Sequence, residues 1–147
     1  MAKYAIGLDG GGTKTEVAML SAQGETLYMG RLGPLNPVSY PESPAEIAKE
    51  LAKFIDADCA AICVACAGAA DKAKAEGVKR AMDGIFAGPV FVRTDGENSL
   101  YTALGERDGV ALISRAPAAY AMPRRAVLRR AAAAAAMCWT MRAAHTQ

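Results

Sequence analysis

The sequence predicts an α/β domain built on a mixed β-sheet with helices on its faces, and two observations carry that prediction. Three short apolar segments follow one another at the start of the chain, at Tyr4–Asp9, Thr15–Ser21 and Thr26–Leu32. Only short turns separate them, which is typical of an antiparallel meander. After residue 42, segments with helical spacing alternate with apolar strands, as in crossover connections between parallel strands.

The later elements follow from apolar periodicity and capping signals. Ser43-Pro44-Ala45-Glu46 has the form of a capping box with proline at the first helical position, and it predicts a helix that runs to about Asp56. The remaining predicted elements are a strand at Cys59–Ala67, a helix at Asp71–Phe86, a strand at Val90–Thr94, a helix at Gly96–Gly105 and a strand at Val110–Ser114.

The turn after the first strand is the most informative segment. Asp9 ends the strand, and the residues that follow it are Gly10, Gly11, Gly12, Thr13, Lys14 and Thr15. Glycines let successive backbone N–H groups approach an anion, hydroxyls add donors, and a carboxylate such as Asp9 can hold a hydrated Mg²⁺. The spacing matches neither a Walker A loop nor GxGxxG. The alternative is a glycine-rich hairpin turn, although hairpins usually need only one or two such residues.

This turn resembles the first phosphate motif of the actin-like ATPase and sugar kinase superfamily, most closely in the N-acetylglucosamine kinase and BadF/BadG/BcrA/BcrD ATPase family. Further stretches fit in order: Gly33–Asn36, Ala65–Ala69, and Arg93–Gly96 leading to Gly109–Ser114. The resemblance covers residues 3–114. It implies a ribonuclease-H-like fold, the first of two expected domains that close over ATP and Mg²⁺. It also implies a small-molecule sugar substrate and a possible homodimer in the full-length parent.

Three further residues are candidates for catalysis and sugar binding. Asp95 follows a strand, at the edge where open α/β sheets bind ligands. From the residues alone, Asp95 is equally suited to cap the helix at Gly96; the resemblance implies that it is the general base for the attacking sugar hydroxyl. The resemblance also places Asn36 and Gly68 near the sugar. Their alternatives are an ordinary Asn-Pro turn and a strand-ending glycine.

The cysteine pattern predicts buried thiols rather than a metal or redox site. Cys63-Val64-Ala65-Cys66 matches CxxC but lies in an apolar run, and residues three apart on a strand face opposite sides. Cys59 adjoins the same run, and Cys138 lies near the end of the chain. No signal peptide and no apolar run long enough to cross a bilayer is present, so a cytoplasmic location is expected.

The character of the sequence changes after Ser114. Residues 115–147 carry six of the 17 Lys and Arg residues and none of the 15 Asp and Glu residues, so the tail is +6 and the first 114 residues are −4. Back-translation one base out of frame permits Gly-Thr-Gly-Ser-Ile from Arg115–Tyr120. It also permits Val-Leu-Asp-Asp-Glu-Gly-Ser-Ala-Tyr near Met137–Thr146, and both strings contain motifs of the family. We therefore expect a frameshift, with residues 1–114 forming the N-terminal half-domain and residues 115–147 out of frame.

The alternative for the tail is an alanine-rich helix over Arg124–Ala144, which would reflect helix propensity alone. Because the basic tail is expected to be out of frame, we expect neither a nucleic-acid nor a membrane partner.

The function expected from the resemblance is ATP-dependent phosphoryl transfer to N-acetylglucosamine or a related amino sugar, in a chain that is inactive as it stands. One alternative is an ATPase activator of the benzoyl-CoA reductase or 2-hydroxyacyl-CoA dehydratase type, which needs cysteines that bridge subunits at a cluster. Another is a non-catalytic sugar-sensing regulator. Such regulators usually carry a helix-turn-helix before the phosphate motif, whereas here the motif begins near Met1.

Overall fold

The computed structural model describes residues 4–104, 109–115 and 118–124 of the 147-residue chain. Its elements are β1 Tyr4–Gly10, β2 Thr15–Ser21, β3 Thr26–Leu32, α1 Ser43–Leu51 with a 3₁₀ turn at Ala52–Phe54, β4 Cys59–Cys66, α2 Lys72–Asp83, β5 Val90–Thr94, α3 Asp95–Leu104, β6 Gly109–Arg115 and β7 Ala118–Arg124. The predicted bounds of β2, β3 and β5 match these ranges. The predicted α2 ran to Phe86, but the helix ends at Asp83, before Gly84.

Five strands form one mixed sheet in the order β3-β2-β1-β4-β5. β2 pairs antiparallel with both β1 and β3, whereas β1, β4 and β5 pair in parallel. Four strands therefore run in one direction and β2 runs in the other, which confirms the predicted mixed sheet.

The last predicted strand, β6, is not part of this sheet. β6 pairs antiparallel with β7 in a separate two-stranded sheet. β7 lies within residues 115–147, for which an out-of-frame tail was expected, and Arg124 ends this strand. The rest of the alternative helix over residues 124–144 lies outside the described residues.

The main core lies between one face of the five-stranded sheet and two helices. Most of its fully or almost fully buried members come from two central strands and from α1 and α2: Ile6, Leu8, Ile62, Val64, Ile47, Leu51, Val78 and Met82. Val17 of β2 and Leu35 of the loop after β3 are buried with them. Cys63 and Ala65 point to the opposite face, where they pack with Phe91. This alternation along β4 confirms that Cys63 and Cys66 are buried on opposite sides of the sheet.

The predicted capping box of α1 is wrong. The residue in the N-cap position is Glu42, which has helical dihedral angles and makes no side-chain cap. The hydroxyl of Ser43 is buried and faces the preceding loop: it donates to the Tyr40 carbonyl at 2.7 Å and accepts from the Asn36 N–H at 3.2 Å. Ser43 therefore orders the loop that contains Asn36 rather than the helix that it begins.

Within the part of the chain that the structure describes, no cluster of three or more His, Cys, Asp or Glu residues is arranged to hold a metal ion. None of the helices described has the length and apolarity required to cross a membrane.

Candidate active site

The strands of the five-stranded sheet end in one row. Gly10 at the end of β1 is in register with Cys66 at the end of β4, and Cys66 is in register with Thr94 at the end of β5. On the other side of Gly10, the row continues through Thr15 to Leu32, the last residue of β3. The candidate residues lie in this row or within a few residues of it, so the fold brings them to the same edge of the sheet.

The glycine turn closes as a tight hairpin between β1 and β2. Gly10 belongs to the strand, and a Cβ atom on it would lie 2.8 Å from the Cβ of Leu35 and 3.0 Å from the Cβ of Cys66. The Gly11 N–H donates to the Lys14 carbonyl at 2.9 Å, and the Gly11 carbonyl accepts from the Leu35 N–H. A Cβ on Gly12 would meet nothing within 4 Å. Gly10 and Gly11 thus hold the hairpin together, and the exposed tip at Gly12 and Thr13 is the part open to a ligand.

The side chains after the tip are engaged within the protein. Thr15 is fully buried, and its hydroxyl donates to the Gly33 carbonyl at 2.8 Å, which ties β2 to the segment after β3. The Lys14 ammonium lies 2.6 Å from a carboxylate oxygen of Glu16, and the Arg31 Nε lies 3.7 Å from the same oxygen. The phosphate-binding roles of Lys14 and Thr15 remain predictions, because the contacts described for these two side chains are made within the protein.

The buried thiol of Cys66, at the end of β4, is affected electrostatically by both candidate carboxylates. Burial, together with the smaller effects of the negative charges of Asp95 and Asp9, raises the pKa of Cys66 to about 12. Asp9 is in register with Ala65, the residue before Cys66 on β4, and Asp95 directly follows Thr94, which is in register with Cys66. Asp9, the candidate metal ligand, and Asp95, the candidate base, therefore lie at the ends of the two strands that flank β4.

The junction between β5 and α3 contains a capping box that the sequence analysis missed. The Glu97 N–H donates to the Thr94 hydroxyl at 3.0 Å, and a Glu97 carboxylate oxygen accepts from the Thr94 N–H at 2.8 Å. The signal was present, because Thr94-Asp95-Gly96-Glu97 has the Thr-x-x-Glu pattern. Thr94, not Asp95, is thus the capping residue of α3. Asp95 is the first helical residue, where its carboxylate accepts from the Gly96 N–H at 2.9 Å.

Asn36 and Gly68 lie side by side although 32 positions separate them in sequence. The Asn36 side-chain oxygen accepts from the N–H groups of Val38 and Ser39 at 3.1 and 3.2 Å, which is an Asx-type turn. Gly68 has φ +88°, and a Cβ atom there would lie 3.5 Å from that Asn36 oxygen and 2.8 Å from the Cγ2 of Val38. The sequence analysis gave an Asn-Pro turn at Asn36 and a glycine after a strand at Gly68 as alternatives to a sugar site. Both features are present in the structure, and they adjoin each other.

Comparison with known proteins identifies the relatives of this chain. No protein-family model matches it. It is 31% identical over 125 residues to an N-acetylmuramic acid/N-acetylglucosamine kinase from Clostridium acetobutylicum, a match that covers 76% of this chain. The chain is therefore homologous to part of that kinase. It spans only 40% of the length of that curated relative.

Solved structures show that this kinase homologue has the actin-like ATPase fold. It superposes on a candidate N-acetylglucosamine kinase from Chromobacterium violaceum with a TM-score of 0.61 and 22% identity, covering 81% of this chain and 48% of that one. A second candidate N-acetylglucosamine kinase, from Porphyromonas gingivalis, gives a TM-score of 0.58 at 22% identity over 74% of this chain and 40% of that one. A ROK family protein from Streptococcus pneumoniae gives 0.53 at 16% identity, over 74% and 42%. At these identities the likeness establishes the fold, as the sequence predicted.

Proposed function

We propose that this chain is the N-terminal part of an ATP-dependent kinase that phosphorylates N-acetylglucosamine or a related amino sugar. The observation that carries the proposal is the common row of strand ends, Gly10–Cys66–Thr94. This row places the glycine turn, Asp9 and Asp95 at the edge where open α/β sheets bind their ligands. The 31% identity to a curated sugar kinase supports the same reaction class.

The residues present fit a nucleotide phosphate and Mg²⁺. The tip at Gly12 leaves room for an anion to approach the backbone, because a Cβ atom there would touch nothing within 4 Å. Carboxylate oxygens are the hard ligands that Mg²⁺ prefers, and Asp9 would hold the ion together with water. When bound, the ion would neutralise charge on the transferred phosphoryl group.

Asp95 would act as the general base. It directly follows β5, and Thr94 already fills the capping role that was the alternative for Asp95. In the proposed reaction the Asp95 carboxylate orients the attacking sugar hydroxyl and accepts its proton. Asn36 and Gly68, which adjoin each other, would border the bound sugar.

The ATPase activator alternative requires accessible cysteines at a subunit boundary. Cys59, Cys63 and Cys66, the cysteines within the described residues, are all buried. Their burial favours the kinase over the activator.

We also propose that the residues after Ser114 derive from a shifted reading frame, and that this chain is inactive without the second phosphate motif. The test is to resequence the gene around the codons for Ile113–Ala118, to express the restored form beside the present chain, and to measure ADP release with N-acetylglucosamine. The restored enzyme should turn over near 1 s⁻¹ or faster, within the usual enzyme range, and the present chain should not. ADP release that does not depend on sugar would contradict the kinase proposal. Reads that confirm the present frame, or an active present chain, would contradict the frame proposal.

A further inference from the structure

An exposed apolar side chain borders the candidate sugar site. Val38 is 58% exposed, yet its Cγ2 atom lies only 2.8 Å from where a Cβ on Gly68 would be. Its side chain therefore leans over Gly68 at the carboxyl edge of the sheet and presents much of its surface to solvent.

The backbone that carries Val38 is held firmly. The Asn36 side-chain oxygen accepts from the Val38 N–H, the Tyr40 N–H donates to the Asn36 carbonyl at 2.8 Å, and the buried Ser43 hydroxyl bonds both ends of the turn. Isolated exposed apolar residues are common on protein surfaces and by themselves indicate nothing. What distinguishes Val38 is that a hydrogen-bonded turn fixes it against Gly68, in the segment that follows β4 at the carboxyl edge of the sheet.

We propose that Val38 is a specificity-determining residue that contacts the methyl group of the acetamido substituent of an N-acetylated amino sugar. The chemistry is complementary, because Asn36 and the backbone near Gly68 offer polar groups for hydroxyls and the amide, whereas Val38 is the apolar surface next to them. A rigid apolar wall favours a substrate that carries a methyl group over one that lacks it, since that methyl group leaves water on binding. This inference rests on the proposed function, whose sugar site it refines.

The first test uses the 147-residue chain and methyl NMR. The Val38 methyl resonances are followed during titration with N-acetylglucosamine and, separately, with N-formylglucosamine, which lacks only the methyl group. We expect saturable shifts of the Val38 methyl resonances with the acetylated sugar and weaker shifts with the formylated one. Asn36 and Gly68 have no methyl group, so their backbone amide resonances are followed in the same titrations. Shifts confined to those amide resonances would overturn the role of Val38 while leaving a sugar site in place. No shift anywhere at 50 mM sugar would overturn both the inference and the sugar site.

The second test uses the frame-restored enzyme and the ratio of kcat/KM values for the acetylated and formylated sugars. Val38→Ser should lower that ratio roughly tenfold, the low end of the discrimination that one methyl group provides, and Val38→Ile should preserve it. Leu27→Ser is the matched control, because Leu27 is 56% exposed but lies at the amino end of β3. An unchanged ratio in Val38→Ser, or an equal loss in Leu27→Ser, would overturn the inference even if the enzyme phosphorylates both sugars.

Discussion

The structure changes the interpretation of Asp95, because it shows which neighbouring residue caps α3. From the sequence, a base and a helix cap were equally reasonable roles, because Asp is common in both. The structure assigns the cap to Thr94 through its reciprocal hydrogen bonds with Glu97. Asp95 instead shares the electrostatic environment of Cys66 with Asp9. The capping role, which was the alternative to a catalytic role for Asp95, is therefore performed by Thr94.

We predict that Asp95→Asn in the frame-restored enzyme lowers kcat by about 10² to 10⁴, because the amide keeps the size of the carboxyl group but cannot accept a proton. The KM for ATP should hardly change, since the glycine turn is untouched. Asp71→Asn is the matched control: Asp71 caps α2 by accepting from the Ala73 and Lys74 N–H groups, and Asn caps almost equally well. Steady-state kinetics in which Asp95→Asn behaves like Asp71→Asn would remove the assignment of Asp95 as the base.

At the scale of the element, the glycines of the β1–β2 hairpin have different structural roles. Gly10 allows Leu35 and Cys66 to approach the end of β1, whereas Gly12 lies at the open tip. Neither residue has a positive φ, so the reason for glycine is contact at one position and access at the other. A pattern of three glycines could predict a special turn but could not distinguish these two reasons, because the distinction depends on Leu35, far along the chain.

We predict opposite outcomes for Gly10→Ala and Gly12→Ala. The added methyl group at position 10 would overlap Leu35, so unfolding in urea should show a loss of about 1–3 kcal/mol, the usual cost of overpacking a filled core. At position 12 the stability should be unchanged or slightly higher, because the methyl group meets no atom and reduces the freedom of the unfolded chain. In the frame-restored enzyme, Gly12→Ala should instead raise the KM for ATP. Equal stability losses in both variants would contradict this division.

The same contrast between local and distant causes explains how much of the fold could be predicted. Strands and helices over residues 4–104 were predictable, because apolar periodicity and turn residues are local signals. The capping box expected at Ser43 was wrong, because the loop at Asn36 and Tyr40 competes for the same hydroxyl. The contact of Asn36 with Gly68, and the separate pairing of β6 with β7, depend on long-range packing that no local pattern encodes.

At the scale of the whole molecule, the buried thiol of Cys66 links stability to alkaline pH. Its pKa rises from an ordinary value of 9.0 to about 12 in the folded protein, first through burial and then through Asp95 and Asp9. Above pH 9 the unfolded chain loses this proton while the folded chain keeps it. The stabilisation is therefore complete below pH 9 and is lost as the pH rises towards 12. Tyr4, whose pKa burial also raises, acts in the same direction.

We predict that the unfolding free energy of the 147-residue chain falls between pH 9 and pH 11, and that Cys66→Ala makes this fall shallower by up to about 1.4 kcal/mol per pH unit. The comparison uses the slope with pH, not the stability at one pH, because removing the thiol also leaves a small void. Urea denaturation at several pH values measures both slopes. Identical slopes for the two proteins would mean that Cys66 titrates normally.

The common row of strand ends decides where this protein can tolerate added residues. A strand advances by about 3.3 Å per residue. One residue inserted into β1, β4 or β5 would therefore shift the end of that strand relative to the ends of the other two. The turns at the opposite edge, residues 55–58 before β4 and residues 84–89 before β5, enter the strands at their amino ends. Extra residues there would lengthen the molecule on its far side and leave the spacing between Gly10, Cys66 and Thr94 as it is. We therefore expect insertions to be tolerated at the amino ends of β4 and β5, whereas the candidate site residues lie at the opposite edge of the sheet.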